Sequence, residues 1–93
     1  MTIFEVISQK RKTAKTVCET QVSNCISNGK FTTRIICNSV EDRKLYVECM
    51  REVNLEMKGS GYHLDIVIND EKDIYFDIFV IRDEVQSQGL LNK

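Results

Sequence analysis

The stretch TQVSNCISNGKFTTRIIC, Thr20–Cys37, carries at its centre the pair Asn28-Gly29 between two β-type runs. Asn-Gly is the preferred pair for a two-residue type I′ turn, whose central positions both need positive φ. Folding about it sets Ile26 against Phe31, Asn24 against Thr33, Val22 against Ile35 and Thr20 against Cys37. The apolar residues then share one face, while Cys25, Ser23 and Gln21 meet Thr32, Arg34 and Ile36 on the other. Turn chemistry and alternation agree, so the stretch predicts a β-hairpin.

Downstream lies the only sustained helical period, SVEDRKLYVECMREVNLEMKG, Ser39–Gly59. Tyr46, Cys49, Met50, Val53 and Met57 recur at i, i+3, i+4, i+7 and i+11, which places them on one face. Ser39 can cap the first turn, Glu41 and Asp42 sit where the helix dipole favours anions, and Lys58-Gly59 is a suitable close. After Gly59-Ser60-Gly61, Tyr62, Leu64, Ile66 and Ile68 alternate with His63, Asp65, Val67 and Asn69. Asp70–Asp73 (DEKD) turns the chain, and Ile74, Phe76, Ile78 and Val80 form the matching apolar set. A five-residue loop, Asn69–Asp73, brings the two sets together.

Upstream, Thr2–Ile7 (TIFEVI) reads as a strand, with a short helix as the alternative, and Ser8–Thr13 reads as a solvated basic turn. From Arg82 the chain is polar except for Leu90 and Leu91, and residues 82–93 read as a loose C-terminal tail. The expected fold is α+β: one domain over residues 1–93, an antiparallel sheet of four or five strands packed against a single α-helix in two layers.

Ninety-three residues suffice for one core and not for two. No segment approaches the ~20 apolar residues of a membrane helix. The N-terminal apolar run precedes its basic run, the reverse of a secretory signal, so the expected location is the cytoplasm. Cys18, Cys25, Cys37 and Cys49 show no zinc-ligand spacing. Cys37 and Cys49 fall on apolar positions and read as small buried hydrophobes. Charge is segregated: Met1–Tyr46 holds eight Lys or Arg against four Asp or Glu, and Val47–Lys93 holds five against ten. That layout bears on partners, not on fold.

Three groups could carry function. The basic set Lys10, Arg11, Lys12 and Lys15, joined by Lys30 and Arg34, could contact phosphates, although four clustered cations are also an ordinary soluble surface. In the expected register Asp65 and Asp77 oppose each other away from the helix, with His63 and Tyr75 diagonal to them. Opposed carboxylates call for a metal, a shared proton or a basic partner such as an arginine, unless both are simply solvated. The third group, Tyr75, Phe79, Ile81, Val67 and Ile36, lies on the sheet face that one helix leaves uncovered; either the N-terminal strand and the tail cover it or another protein does. No phosphate loop, G-x-S-x-G or cysteine beside a base is present, and no cofactor or small-molecule substrate is implied.

In size, an expected compact sheet with one helix, lack of a catalytic motif, segregated charge and Lys/Ile/Asn/Glu-rich style, the chain resembles small phage-encoded host-takeover proteins. In particular it resembles the anti-CRISPR inhibitors of type I-F CRISPR-Cas surveillance complexes. The resemblance is one of whole-chain character, without a motif that transfers residues by position. It implies a non-enzymatic inhibitor in the host bacterial cytoplasm that binds a multi-subunit ribonucleoprotein stoichiometrically. Lys10, Arg11, Lys12, Lys15, Lys30 and Arg34 would face guide RNA or target DNA, and Asp65, Asp77, Tyr75 and Phe79 would face protein. Two alternatives are a freestanding nucleic-acid-binding or regulatory module, dimeric through the open sheet face, and a metal-dependent enzyme built on Asp65, Asp77 and His63.

Overall fold

The structure, a computed structural model, describes residues 2–84. The chain is α+β, and its described residues form two helices and three strands in the order α1 (Ile3–Asn28), β1 (Thr32–Ile36), α2 (Val40–Glu56), β2 (Tyr62–Val67) and β3 (Tyr75–Arg82). The strands form one antiparallel sheet in the order β1-β3-β2. The last of the described strands in sequence is therefore the central one.

The largest departure from the sequence reading is at Asn28-Gly29. The residues expected as the first arm of a hairpin are the second half of α1, and Thr2–Ile7 and Ser8–Thr13 belong to its first half. Gly29 has φ 66° and ψ 21°, but no residue other than glycine has positive φ among the described residues. A type I′ turn needs positive φ at both positions; a helix C-terminus needs it at one. The Gly29 N–H donates to the Ile26 carbonyl at 3.3 Å, and the Lys30 N–H to the Cys25 carbonyl at 3.0 Å. These two bonds are a Schellman closure, which satisfies carbonyls that the helix end would otherwise leave open.

The start of α1 is fixed as firmly. Thr2 Oγ1 accepts from the Glu5 N–H at 3.1 Å, and Glu5 Oε1 accepts from the Thr2 N–H at 2.7 Å, a reciprocal capping box. Between these ends Ala14, Cys18, Val22 and Cys25 are buried. Their spacing of four, four and three is helical, but two cysteines and an alanine make a faint hydrophobic signal. The expected single helix and four or five strands thus give way to two helices and three strands.

The other elements follow the sequence more closely. Ser39 Oγ accepts from the Asp42 N–H at 3.1 Å and caps α2. Cys49, Met50, Val53 and Met57 are buried as expected, Tyr46 is half-buried, and Val47 joins the core. Gly59 and Gly61 turn the chain at φ 87° and 95°. On β2 and β3, Leu64, Phe76, Ile78 and Val80 are buried and Ile66 packs against them. Both helices lie on this face and share one core with it.

The β2–β3 register is shifted by two residues from expectation. Residues 68–74 connect the strands, so Asp65 lies opposite Phe79, and Asp77 opposite Val67. An even shift preserves the inner face but separates the two carboxylates. The longer connection is held from α2: buried Arg43 donates through Nε to the Asp73 carbonyl (3.1 Å) and through Nη2 to the Glu71 carbonyl (2.8 Å). The Ile74 carbonyl accepts from the Cys37 N–H at 2.8 Å, which ties the same loop to the end of β1. Arg82, expected to begin the tail, ends β3, and the Asp83 N–H donates to the Gly61 carbonyl at 2.8 Å. The rest of the expected tail, residues 85–93, lies outside the described residues.

Candidate functional site

Ion pairs between α1 and α2 occupy most of the basic cluster. Lys10 Nζ lies 2.8 Å from Asp42. Arg11 bonds Glu48 at 3.0 Å and also Glu52, and Lys15 Nζ lies 2.8 Å from Glu56 and 3.6 Å from Glu52. Bonds to these carboxylates raise the Lys10, Arg11 and Lys15 pKa values, and the bond from Arg11 lowers that of Glu52. Lys12 is exposed and lines one hollow with Arg11 and Lys15, but Lys30 follows the far end of α1 and Arg34 is on β1, so the six cations do not form one patch. Three of them are already matched by acids of the chain's own second helix, which weakens any pull on phosphate.

The sheet face opposite the helices assembles more of the expected residues. β3 presents Tyr75, Asp77, Phe79 and Ile81; β1 adds Thr32, Arg34 and Ile36, and β2 adds His63, Asp65 and Val67. Arg34 pairs with Asp77 across the β1–β3 ladder through Nε at 2.8 Å and Nη2 at 3.2 Å. Its guanidinium also lies 4.0 Å from the Tyr75 ring centroid. Asp77 therefore finds its basic partner in the same sheet, and that bond holds its carboxyl below the ordinary range. Arg34 and Asp77 had been expected to serve different partners; the central position of β3 joins them instead.

Around this charged cluster the face is apolar and accessible: Ile36 is 71 % exposed, Phe79 41 % and Val67 37 %. Asp65 is exposed beside Phe79. His63 Nδ1 lies 2.6 Å from Asp83 Oδ1, away from Asp77. The expected metal set of Asp65, Asp77 and His63 is thus dispersed, and among the described residues no three His, Cys, Asp or Glu are grouped to hold a metal ion.

The four cysteines are buried. Burial raises all their pKa values, that of Cys18 to about 12, which keeps the thiols protonated and poorly nucleophilic. Between α1, α2 and β1 a groove of about 220 Å³ is lined by Gln21, Arg34, Asn38, Asp42 and Tyr46. No helix among the described residues is long and apolar enough to cross a membrane.

A second apolar surface went unread in the sequence: Ile3, Phe4, Val6 and Ile7 at the start of α1, exposed by 69, 79, 48 and 57 %. Thr2-x-x-Glu5 followed by an apolar run was the available signal for a helix start there. No family model, curated protein or solved structure matches the chain.

Proposed function

We propose that this chain is a non-enzymatic binding protein that acts by stoichiometric association with a protein partner, using the open face of its sheet. The observation that carries the reading is the exposed apolar set Ile36, Val67 and Phe79 around the Arg34–Asp77 pair. Such a surface, with aromatic and arginine side chains at its centre and polar groups at its rim, has the composition of a protein interface. Asp65 beside Phe79 suits a basic side chain on the partner.

The partner implied by the sequence resemblance is a type I-F CRISPR-Cas surveillance complex, and the action is inhibition by occupying a subunit surface. Protein is favoured over guide RNA as the principal contact because Lys10, Arg11 and Lys15 are paired with α2. Contact with guide RNA or target DNA would then fall to Lys12 and Lys30.

The test is co-elution with a purified, guide-loaded surveillance complex and, in parallel, with bare RNA and DNA. Phe79→Asp is expected to weaken binding to the complex at least tenfold while retaining the wild-type circular dichroism spectrum. Joint replacement of Lys10, Arg11 and Lys15 by Gln is expected to change binding less than threefold. Failure to co-elute would remove the proposed target, and undiminished binding by Phe79→Asp would remove the proposed face. Tight binding to bare nucleic acid would instead favour the freestanding module.

A further inference from the structure

Among the described residues the sheet has two edge strands, β1 and β2, and the chain guards only one of them. In the β2–β3 ladder the Asp83 N–H donates to the Gly61 carbonyl, so His63, Asp65 and Val67 bond to β3 while Tyr62, Leu64 and Ile66 turn their main-chain groups outward. Two of those outward donors are taken from within the molecule. The Tyr62 N–H donates to Ser60 Oγ at 3.2 Å, and the Leu64 N–H donates to Asn54 Oδ1 of α2 at 2.8 Å. An edge capped in this way is a poor template for another strand.

The β1 edge has no such cap. The Val80 N–H donates to the Phe31 carbonyl at 2.9 Å and the Cys37 N–H to the Ile74 carbonyl at 2.8 Å, so the odd-numbered residues of this stretch face β3. Thr32, Arg34 and Ile36 therefore turn their N–H and C=O groups away from it. Among the described residues nothing bonds to these outward groups, and all three residues are exposed.

The 220 Å³ groove lies along this edge. Residues 34–38 line it consecutively, and residues from both faces of a strand share one hollow only where that hollow follows the strand's edge. Its far wall is Val17 and Gln21 of α1 with Tyr46 of α2, and Asp42, which also lines it, is held by Lys10. On the outer side every second residue reads Lys30, Thr32, Arg34, Ile36, two cations and no acid. Arg34 spends Nε and Nη2 on Asp77, which leaves Nη1 without a partner among the described residues.

We propose that the β1 edge is a peptide-binding site that takes an extended, acidic segment of another protein as a fourth strand. Alternating free N–H and C=O groups match a strand backbone. Phosphates could accept from the N–H groups but cannot donate to the carbonyls between them. An Asp or Glu opposite Arg34 reaches its free Nη1, so that Arg34 sits between two carboxylates, and the residue two places along meets Ile36 and is apolar. The intervening side chains turn into the groove toward Val17, Gln21 and Tyr46, where small or β-branched residues fit. A second copy of β1 would bring the same cations against this row, which disfavours self-pairing. The site goes beyond the open-face reading and does not depend on it.

Selection of a random-peptide phage library on the immobilised full-length protein tests the proposal. Enriched peptides are expected to carry Asp or Glu two residues from an apolar residue. A synthetic peptide of the enriched sequence is expected to slow hydrogen exchange at the Thr32, Arg34 and Ile36 amides at least tenfold. Two versions of it, N-methylated on alternate residues, are expected to differ in affinity at least tenfold, because only one set of amides faces β1. Ile36→Pro removes an outward donor without touching the β3 ladder and is expected to weaken binding at least tenfold, whereas Phe79→Ser on the open face changes it less than threefold. A library that yields no acidic peptide overturns the proposal, as do equal affinities of the two N-methylated forms, a comparison made on wild type and so independent of how Ile36→Pro folds. Amides at 32, 34 and 36 already protected in the free protein also overturn it, since the edge would then be occupied by residues 85–93 or by a second copy. Binding lost in Phe79→Ser and kept in Ile36→Pro would place the peptide on the open face instead.

Discussion

Arg34 and Asp77 stand directly opposite each other on β1 and β3, and their side chains close a two-pronged ion pair at 2.8 and 3.2 Å. The Asp77 side chain is only 19 % exposed, and the bond from Arg34 lowers its pKa from the ordinary 3.8. A depressed carboxylate stabilises the fold above its unfolded-state pKa, and that contribution fades as pH falls through the folded-state value. Asp77→Asn should therefore unfold at a lower urea concentration than wild type at pH 7. The gap between the two midpoints should close as the pH is taken from 7 to below the lowered folded-state value. Parallel urea titrations at the two pH values check this, and a gap that persists in acid would show that Asp77 acts through packing and not through charge.

Gly29 and Asn28 separate a helix close from a hairpin turn. Gly29→Ala meets no atom within 4 Å, so its cost is backbone strain alone, about 1 kcal/mol. Asn28 lies in α1 without positive φ, so Asn28→Ala should be neutral or slightly stabilising. A type I′ turn would penalise both changes. Chemical denaturation of the two variants distinguishes the geometries.

Arg43 is the one buried charged side chain among the described residues, at 4 % exposure, and it serves two loop carbonyls. Arg43→Ala leaves the Glu71 and Asp73 carbonyls without that donor and should cost about 2–3 kcal/mol. Hydrogen exchange in residues 68–74 should accelerate more than in β2 or β3. Uniform acceleration would mean that the loop does not depend on this anchor.

The buried thiols predict slow chemistry. Under native conditions at pH 8 a disulfide-exchange reagent should label less than one thiol per chain within minutes, and all four once the protein is unfolded in urea. Cys18, with its pKa pushed up to about 12, should be among the last to react.

The sequence made the second half of the fold legible and obscured the first. The α2 stripe, its Ser39 cap, and the inner faces of β2 and β3 were readable because large apolar side chains mark a period clearly. Helix α1 was not, because its core stripe is Ala14, Cys18, Val22 and Cys25, and because Asn-Gly serves two geometries. Thr2-x-x-Glu5 was the neglected discriminator. Of the candidate site, the apolar open face was readable from alternation alone. The Arg34–Asp77 pair was not, since it depends on a strand pairing between β1 and β3 that no local pattern encodes. Likewise, the pairing of Lys10, Arg11 and Lys15 with α2 became visible only once residues 10–15 were known to be helical.

The central position of β3 has a consequence for synthesis on the ribosome. Among the described residues neither β1 nor β2 has a strand neighbour until Tyr75–Arg82 has emerged, because both pair only with β3. The emerging chain can zip α1 to α2 through Lys10–Asp42 and Lys15–Glu56, but the apolar sides of both helices stay wet until the fifth element arrives. Folding of this domain is therefore deferred to the end of the described chain, and a polypeptide arrested before Arg82 would present two sticky helices and no sheet to cover them.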